Sequence, residues 1–433
     1  MKHKVILVAS KKMDANKKPD RNEGGLIRMP AKTRKAINFN DDVLTVSKKD
    51  EHVSLKVFQA FSADIKDIKD SGKYTQEELC RIAFVTSDTF RKLTGKTKGV
   101  ENVWLSDDIE STVLGADPEF LLFDGDGNVV RANSIGTLEY YGAMGYDGAM
   151  AEIRPKPSDD PEQLVKNMHS IFAKYAHQVL DNYIACCACY HKDNVRDYPV
   201  GGHIHIGNPR QLLKVPFNKR INLLKVLNKI LDEFLAIPMI KLDGKIGAIR
   251  RTKCQMAPNN GYGYFGEYRT SGSGNNRRLE NRTLSGMWLL NPAIAKAVVG
   301  CAKVIVDEVF NKVYEHSLSE DYFGCDLIES AGQRIWREGF TGWKDIQLCK
   351  DMHCTRSSTK IVKALTASDP SMISKPFMKD WKRAMRSFDG YAKYRDYVDA
   401  FHSIMLLSRK ELKKWPTELK TNWIQGKKFI VDI

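Results

Sequence analysis

The residues best suited to chemistry sit in Gly201-Gly202-His203-Ile204-His205-Ile206-Gly207. The two histidines are two residues apart, with isoleucines between and after them. On a β-strand this spacing turns both imidazoles to one face and both isoleucines to the other. The flanking glycines allow a turn or the close approach of a ligand. Three more segments repeat the design. Gly115-Ala116-Asp117-Pro118-Glu119-Phe120 offers two carboxylates at i, i+2, and Ala151-Glu152-Ile153-Arg154-Pro155 a carboxylate and a guanidinium. Arg278, Glu280 and Arg282 alternate with Leu279 and Asn281. A sheet face with this many charges is costly to bury as ordinary core. It makes sense as a wet funnel for divalent metal and phosphate. Arg supplies forked, permanently charged contacts to a phosphoryl group. Carboxylates suit Mg²⁺, and a histidine adds tolerance of Mn²⁺.

The elements that must position these residues follow from periodicity. Residues 113–123 read as the strand carrying Asp117 and Glu119. Asp124-Gly125-Asp126-Gly127-Asn128 is a tight turn into Val129-Val130; as a calcium loop it lacks the downstream Glu ligand. Residues 159–181 read as a helix with Pro161 in its first turn, 183–190 as a strand, and 219–235 as a long amphipathic helix. Residues 244–274, rich in Gly, Arg and Tyr, read as a loop region folding over something anionic, with Arg250, Arg251, Tyr262, Tyr264, Tyr268 and Arg269. A helical run is expected over 291–314, and residues 315–433 read as largely helical.

The chain of 433 residues is 42% hydrophobic and 28% charged, which is globular and long enough for two or three domains. It shows no apolar run of membrane-spanning length, and Val5-Ile6-Leu7-Val8-Ala9 is too short for a secretory segment. A cytoplasmic location is expected. The nine cysteines include Cys186-Cys187-Ala188-Cys189. No second ligand pair completes a zinc site, so buried free thiols are expected.

The net charge of +15 permits nucleic-acid, nucleotide or acidic-peptide partners without choosing among them. Residues 1–35 carry eleven Lys/Arg against three Asp/Glu. Residues 11–25 read as a mobile arm or long loop. Residues 26–46 are similar to the swapped-hairpin half-motif of AbrB-like DNA-binding proteins; a small β-hairpin with a solvated basic face fits as well. Residues 53–61 read as a strand. A capping box at Thr75 and Glu78 predicts a helix over 75–83, and residues 94–102 read as a linker.

No Walker A loop, nucleophile elbow or kinase signature is present. The ordered motifs Gly-Ala-Asp-Pro-Glu-Phe, Ala-Glu-Ile-Arg-Pro, Gly-Gly-His-Ile-His-Ile-Gly and Arg-Leu-Glu-Asn-Arg-Thr-Leu-Ser resemble those of the glutamine synthetase and glutamate–cysteine ligase superfamily. They most resemble its phage phiEco32-like carboxylate–amine ligase group, over residues 111–300. The resemblance implies an α+β fold: an antiparallel, glutamine-synthetase-like catalytic core with flanking helices. A small N-terminal α/β appendage (1–110) and a mainly helical region packing on the core (301–433) complete the expected organisation.

The resemblance also implies an ATP-dependent, amide-forming ligase that uses Mg²⁺ or Mn²⁺ and passes through an acyl phosphate. Carried over residue by residue, Asp117, Glu119, Glu152, His203 and Glu280 match metal ligands. Arg282 matches a phosphate-binding arginine, with Arg269 and Arg278 as further phosphate contacts and His205 facing the substrate side. Asp117 replaces the family's first Glu, shortening its reach by one methylene. A further metal carboxylate before Glu152 is either Asp147 or Glu139. The expected partners are small-molecule or peptide carboxylates and amines, with a homo-oligomer by analogy and the host cytoplasm as the setting of a phage protein. The competing reading is a nucleic-acid-associated phage protein that uses its basic N-terminus, with the ligase fold as an inactive scaffold. The acidic strand pairs separate the two, because such groups would repel nucleic-acid phosphate unless metal intervened.

Overall fold

The computed structural model describes residues 2–9, 26–36, 43–48, 51–59, 62–71, 74–79, 81–96, 98–106, 112–207, 217–252, 262–271, 278–316, 320–323, 346–356 and 358–425. The expected arm at 11–25 lies outside them. The fold is mixed α and β, in two compact units. One comprises residues 1–111, 208–220 and 272–277; the other comprises 112–207, 221–271 and 278–433.

The first unit is a closed six-stranded barrel. Its strands are β1 (Lys2–Ala9), β2 (Leu26–Met29), β3 (Val43–Lys48), β4 (Glu51–Gln59), β5 (Ile82–Val85) and β6 (Val100–Ser106). The order around the barrel is β1-β5-β2-β4-β3-β6, and β6 pairs back to β1. β1 with β5 and β2 with β4 are parallel. Alternation sorts the side chains: Val5, Leu7, Ile27, Met29, Val46, Ala83, Val85 and Val103 fill the interior with Phe90 and Leu93. Ile82 and Phe84 point the other way, onto Ile65, Ile68 and Leu79.

This arrangement corrects three expectations. β2 and β3 are not a hairpin, since β2 pairs with β4 and β5 while β3 pairs with β4 and β6. The capping box is present, Thr75 N–H donating to Glu78 Oε2 at 2.8 Å. Yet the helix it starts covers only Gln76–Leu79, because Ile82–Val85 is apolar on both faces and is claimed by the barrel. The expected linker holds the start of β6.

The second unit is built on an antiparallel sheet. Its strands are β7 (Leu114–Phe123), β8 (Val129–Val130), β9 (Met144–Asp147), β10 (Met150–Ile153), β11 (Ile184–Cys186), β14 (Gly202–Ile206), β15 (Tyr268–Ser271) and β16 (Arg278–Asn281). β12 (Tyr190–Lys192) and β13 (Asp197–Pro199) pair separately. The sheet runs β15-β16-β14-β7-β10-β9, and the far end of β7 also takes β11 and β8. Pro118, which has no N–H for a ladder, is the last residue of β7 paired with β14 and directly precedes those paired with β10 on the other flank. The expected strand at 183–190 is two short strands, and the expected loop region 244–274 contains the helix Ile246–Thr252 as well as β15.

One face of this sheet is apolar. Phe120 meets Phe172 of the helix Pro161–Tyr175, which in turn meets Trp423. The buried helix Pro292–Glu315 packs beside Pro161–Tyr175 and Tyr391–Leu406. The helices Pro161–Tyr175 and Pro292–Glu315 begin as their sequences dictate: Asp160 and Asn291 accept backbone N–H groups, and Pro161 and Pro292 follow in the first turn. From the C-terminal helices, Trp423 donates to the Leu289 carbonyl at 2.7 Å and Trp381 to that of Phe234 at 2.8 Å. Cys187 and Cys189 are buried free thiols. Among the described residues, no helix is long and apolar enough to cross a membrane.

Candidate functional site

The other face of the sheet gathers the charges. Register decides this: His203 stands opposite Asp117, Glu152 opposite Glu119, and Glu280 opposite both His205 and Arg269. Directly opposed residues share a face, so all of these side chains converge.

At the centre, donor atoms of Asp117, His205 and Glu280 all lie within 4.8 Å of one another. His203 reaches the same carboxylates through Nδ1, 3.2 Å from Asp117 Oδ1 and 3.7 Å from Glu280 Oε1. His205 reaches them through Nε2, at 3.1 Å from Asp117 Oδ2 and 3.8 Å from Glu280 Oε2. Burial works to raise the Asp117 carboxyl pKa, but hydrogen bonds and charge from the two histidines outweigh it and hold it well below the usual range. Burial opposes a charge on His203 as well, and Asp117 and Glu119 overcome it and raise its pKa.

Glu119 and Glu152 extend the face. Glu119 is fully buried, and burial raises its pKa. Its Oε2 accepts the Gly201 N–H at 2.5 Å, while Oε1 has no hydrogen-bond partner. Glu152 is ion-paired with Arg154, which also donates to the Gly142 carbonyl at 3.0 Å. A side chain at Gly145 would collide with that guanidinium, so β9 needs glycine there. Asp147, at the end of β9, acts electrostatically on Glu119. Glu139 contributes backbone oxygen to the turn, bonding Gly142 N–H at 2.9 Å.

The arginines border the carboxylates. Arg282 Nε lies 3.7 Å from Glu280 and 3.5 Å from Glu267. Burial works against its charge, but Tyr262, Glu267 and Glu280 raise its pKa further. Arg269 Nε donates to Glu280 Oε2 at 2.8 Å from a side chain 50% exposed. Arg278 stands exposed at the start of β16, opposite Ser271 of β15.

Arg250 and Arg251, expected to face an anion, do something else. Arg250 is fully buried and donates to the Thr283 and Leu284 carbonyls at 3.0 and 2.9 Å. Arg251 is paired with Asp243 at 2.5 Å. Arg250 is spent on tying the chain after β16 to the helix Ile246–Thr252, and Arg251 on tying that helix to Asp243, Gly263 and Ser368.

Two groups in the site go beyond the sequence reading, which places Tyr262 only in a region folding over something anionic and does not name Glu267. Tyr262 hydrogen-bonds His203 Nε2 at 2.6 Å and accepts from Arg282 Nη2 at 3.1 Å. Glu267 braces Arg282 and accepts the Gly263 N–H at 2.5 Å. They lie in a turn with no alternation to read; the only local signal is the glycine bracket around Tyr262, where Gly263 has φ of +74°.

The family model described as "Phage phiEco32-like COOH.NH2 ligase-type 2" matches residues 114–334, just over half of the chain. The chain belongs to that family. No curated protein matches it. Among solved structures, a bifunctional glutathione synthetase from Pasteurella multocida aligns at 12% identity and a TM-score of 0.33, covering 68% of this chain and 52% of that one. The complex of the prokaryotic ubiquitin-like protein Pup with its ligase PafA aligns at 12% and 0.33, covering 70% and 65%. This chain thus spans between about half and two thirds of those structures' lengths. At such scores the likeness does not establish a shared fold.

Proposed function

We propose that this chain is an ATP-dependent carboxylate–amine ligase, with a catalytic core of the glutamine synthetase type over residues 111–300. Residues 1–110 are read as an accessory domain and 301–433 as helical support. The observation that carries the reading is the convergence of Asp117, Glu119, Glu152, His203, His205 and Glu280 with Arg269 and Arg282 on one sheet face. The donor set fits divalent metal. Glu119 Oε1 and Glu280 Oε1 are buried without hydrogen-bond partners, a costly state in a site built to stay empty. Asp117 and Glu280 with a histidine would hold one ion, and Glu119 with Glu152 a second. Bound Mg²⁺ or Mn²⁺ would offset the charge of the phosphate oxygens.

In the reaction, an oxygen of the substrate carboxylate attacks the γ-phosphorus and the bond to ADP breaks. The amine nitrogen then attacks the acyl carbon, the carbon–oxygen bond breaks, and phosphate leaves. The chain's task is to hold and neutralise the transferring group. Arg282 is fixed by Glu267, Glu280 and Tyr262 and stays cationic at every working pH. Arg269, half exposed and hinged on Glu280, is placed to swing onto a bound phosphate, and Arg278 offers a third cation at the rim. The substrates are small-molecule or peptide carboxylates and amines.

The test is phosphate release from ATP with Mg²⁺ or Mn²⁺ across a pool of amino acids, small carboxylic acids and polyamines. Release that needs metal, acid and amine together, and disappears in Glu119→Ala and Arg282→Ala, is the expected result. A wild-type chain that binds no metal–ATP overturns the catalytic reading.

A further inference from the structure

We propose that Tyr262 is a positioning residue that joins the phosphate-contacting arginine to the metal-facing histidine. This inference rests on the ligase reading above. The phenol oxygen stands 2.6 Å from His203 Nε2 and 3.1 Å from Arg282 Nη2. A phenol oxygen can accept from both. With Nε2 committed to Tyr262, Nδ1 is the nitrogen left to face Asp117 and Glu280, at 3.2 and 3.7 Å. Which imidazole nitrogen is free for a metal is set by the bond that the other one makes.

The ring is clamped with little freedom. Arg250 and Arg282 lie over it with guanidinium carbons 5.0 and 5.1 Å from its centroid. Its backbone N–H donates to the Arg250 carbonyl at 2.8 Å. The next residue, Gly263, is held by Glu267 Oε2 and by Arg251, whose Nε donates to its carbonyl at 3.2 Å. A Cβ at Gly263 would strike the Arg250 guanidinium. On the other side, a Cβ at Gly201 would collide with His203 Nε2 and come within 2.9 Å of the Tyr262 oxygen. The first glycine of the His203 motif therefore clears the space for the phenol–imidazole contact. A tyrosine that merely filled volume would not need glycine on both sides, nor a hydroxyl bonded to two site residues.

Tyr262→Phe keeps the ring and its two guanidinium neighbours and removes only the oxygen. Mn²⁺ would be titrated into wild-type and variant chains by electron paramagnetic resonance of the free ion. In parallel, kcat and KM for ATP would be measured by phosphate release. The Mn²⁺ dissociation constant is expected to rise about 10-fold or more, with kcat falling by a similar factor. KM for ATP is expected to change far less, and the melting temperature by only a few degrees. Arg282→Lys, placed in both backgrounds, should weaken Mn²⁺ binding less in the Phe background than in the wild type, because the phenol carries part of its effect. Should Tyr262→Phe fold poorly, Arg282→Lys alone decides: unchanged Mn²⁺ affinity overturns the coupling. A Tyr262→Phe chain that binds Mn²⁺ and turns over like wild type overturns the role of Tyr262 and leaves the ligase reading standing. A wild-type chain that binds no Mn²⁺ overturns both.

Discussion

Two adjacent residues of β16 serve two buried polar clusters on opposite faces of the same sheet. Glu280 points to the charged face, and Asn281 to the helices behind. Asn281 donates to Asn228 at 2.9 Å and to Asp232 at 3.1 Å, and Asp232 also accepts the Gly266 N–H at 2.6 Å. None of these three side chains has a buried unpartnered atom, among the described residues. On the charged face, Glu119 Oε1, Glu280 Oε1 and Arg282 Nε are all buried without a hydrogen bond. The first cluster is closed and serves stability; the second is open and needs something from outside. The two clusters are alike in burial and differ in hydrogen bonding; single buried atoms without a partner also occur in structural side chains such as Arg250 and Asn291, so it is their clustering on one face that marks the site.

The largest way to break this contrast is to remove an open carboxylate. Glu119→Gln and Glu280→Gln are expected to lose about 10³-fold in metal-dependent phosphate release. Glu119→Gln should melt no lower than the metal-free wild type, since Glu119 Oε1 is buried without a hydrogen bond and its burial already disfavours the charge; a clear fall in melting temperature would place Glu119 in the stabilising class instead.

Acidity sharpens the contrast next. Burial, opposed by bonds from Thr283, Gly266 and Asn281, pushes Asp232 up to about 7 from 3.8. A carboxyl with a raised folded pKa contributes stability that is full below about 4 and is lost as pH climbs through about 7. About three pH units at ~1.4 kcal/mol each set an upper bound of about 4 kcal/mol. Denaturant titrations of the metal-free chain from pH 5 to 8 should show falling stability, flattened by Asp232→Asn. Asp117, with its depressed pKa, acts in the opposite sense and only below about pH 4.

Metal should stabilise only through the open cluster. Mn²⁺ at 100 times its dissociation constant adds about 2.7 kcal/mol, and Glu280→Gln should abolish the shift in melting temperature. The smallest effect belongs to the closed cluster: Asn281→Leu leaves Asp232 a donor short and should cost about 1–3 kcal/mol, with little change in Mn²⁺ affinity.

Much of this sheet is legible in the sequence because the strands alternate at i, i+2. Asp117 with Glu119, His203 with His205, and Glu280 with Arg282 declare their shared face without any knowledge of neighbours. Pairing order and register are not legible, since they depend on contacts far apart in the chain; nothing local says that His205 lies opposite Glu280. Arginines mislead for a related reason. Arg250 and Arg282 look alike in sequence, yet one is absorbed by backbone carbonyls and the other fronts the carboxylates. Tyr262 sits in a turn where no period operates. The barrel is hidden in the same way: Ile6 pairs in parallel with Ile82, and no alternation encodes a partner so distant.

The barrel's closure has a consequence for the chain's solubility. Every one of its described strands has a neighbour on both sides, so the barrel presents no edge strand as a template for a second copy. β1 is the staple, bonded to β5 on one flank and β6 on the other. Trimming the first nine residues would uncover both flanks at once. The expected product is a chain that adds strands from its neighbours and precipitates, rather than one that merely lacks a tail.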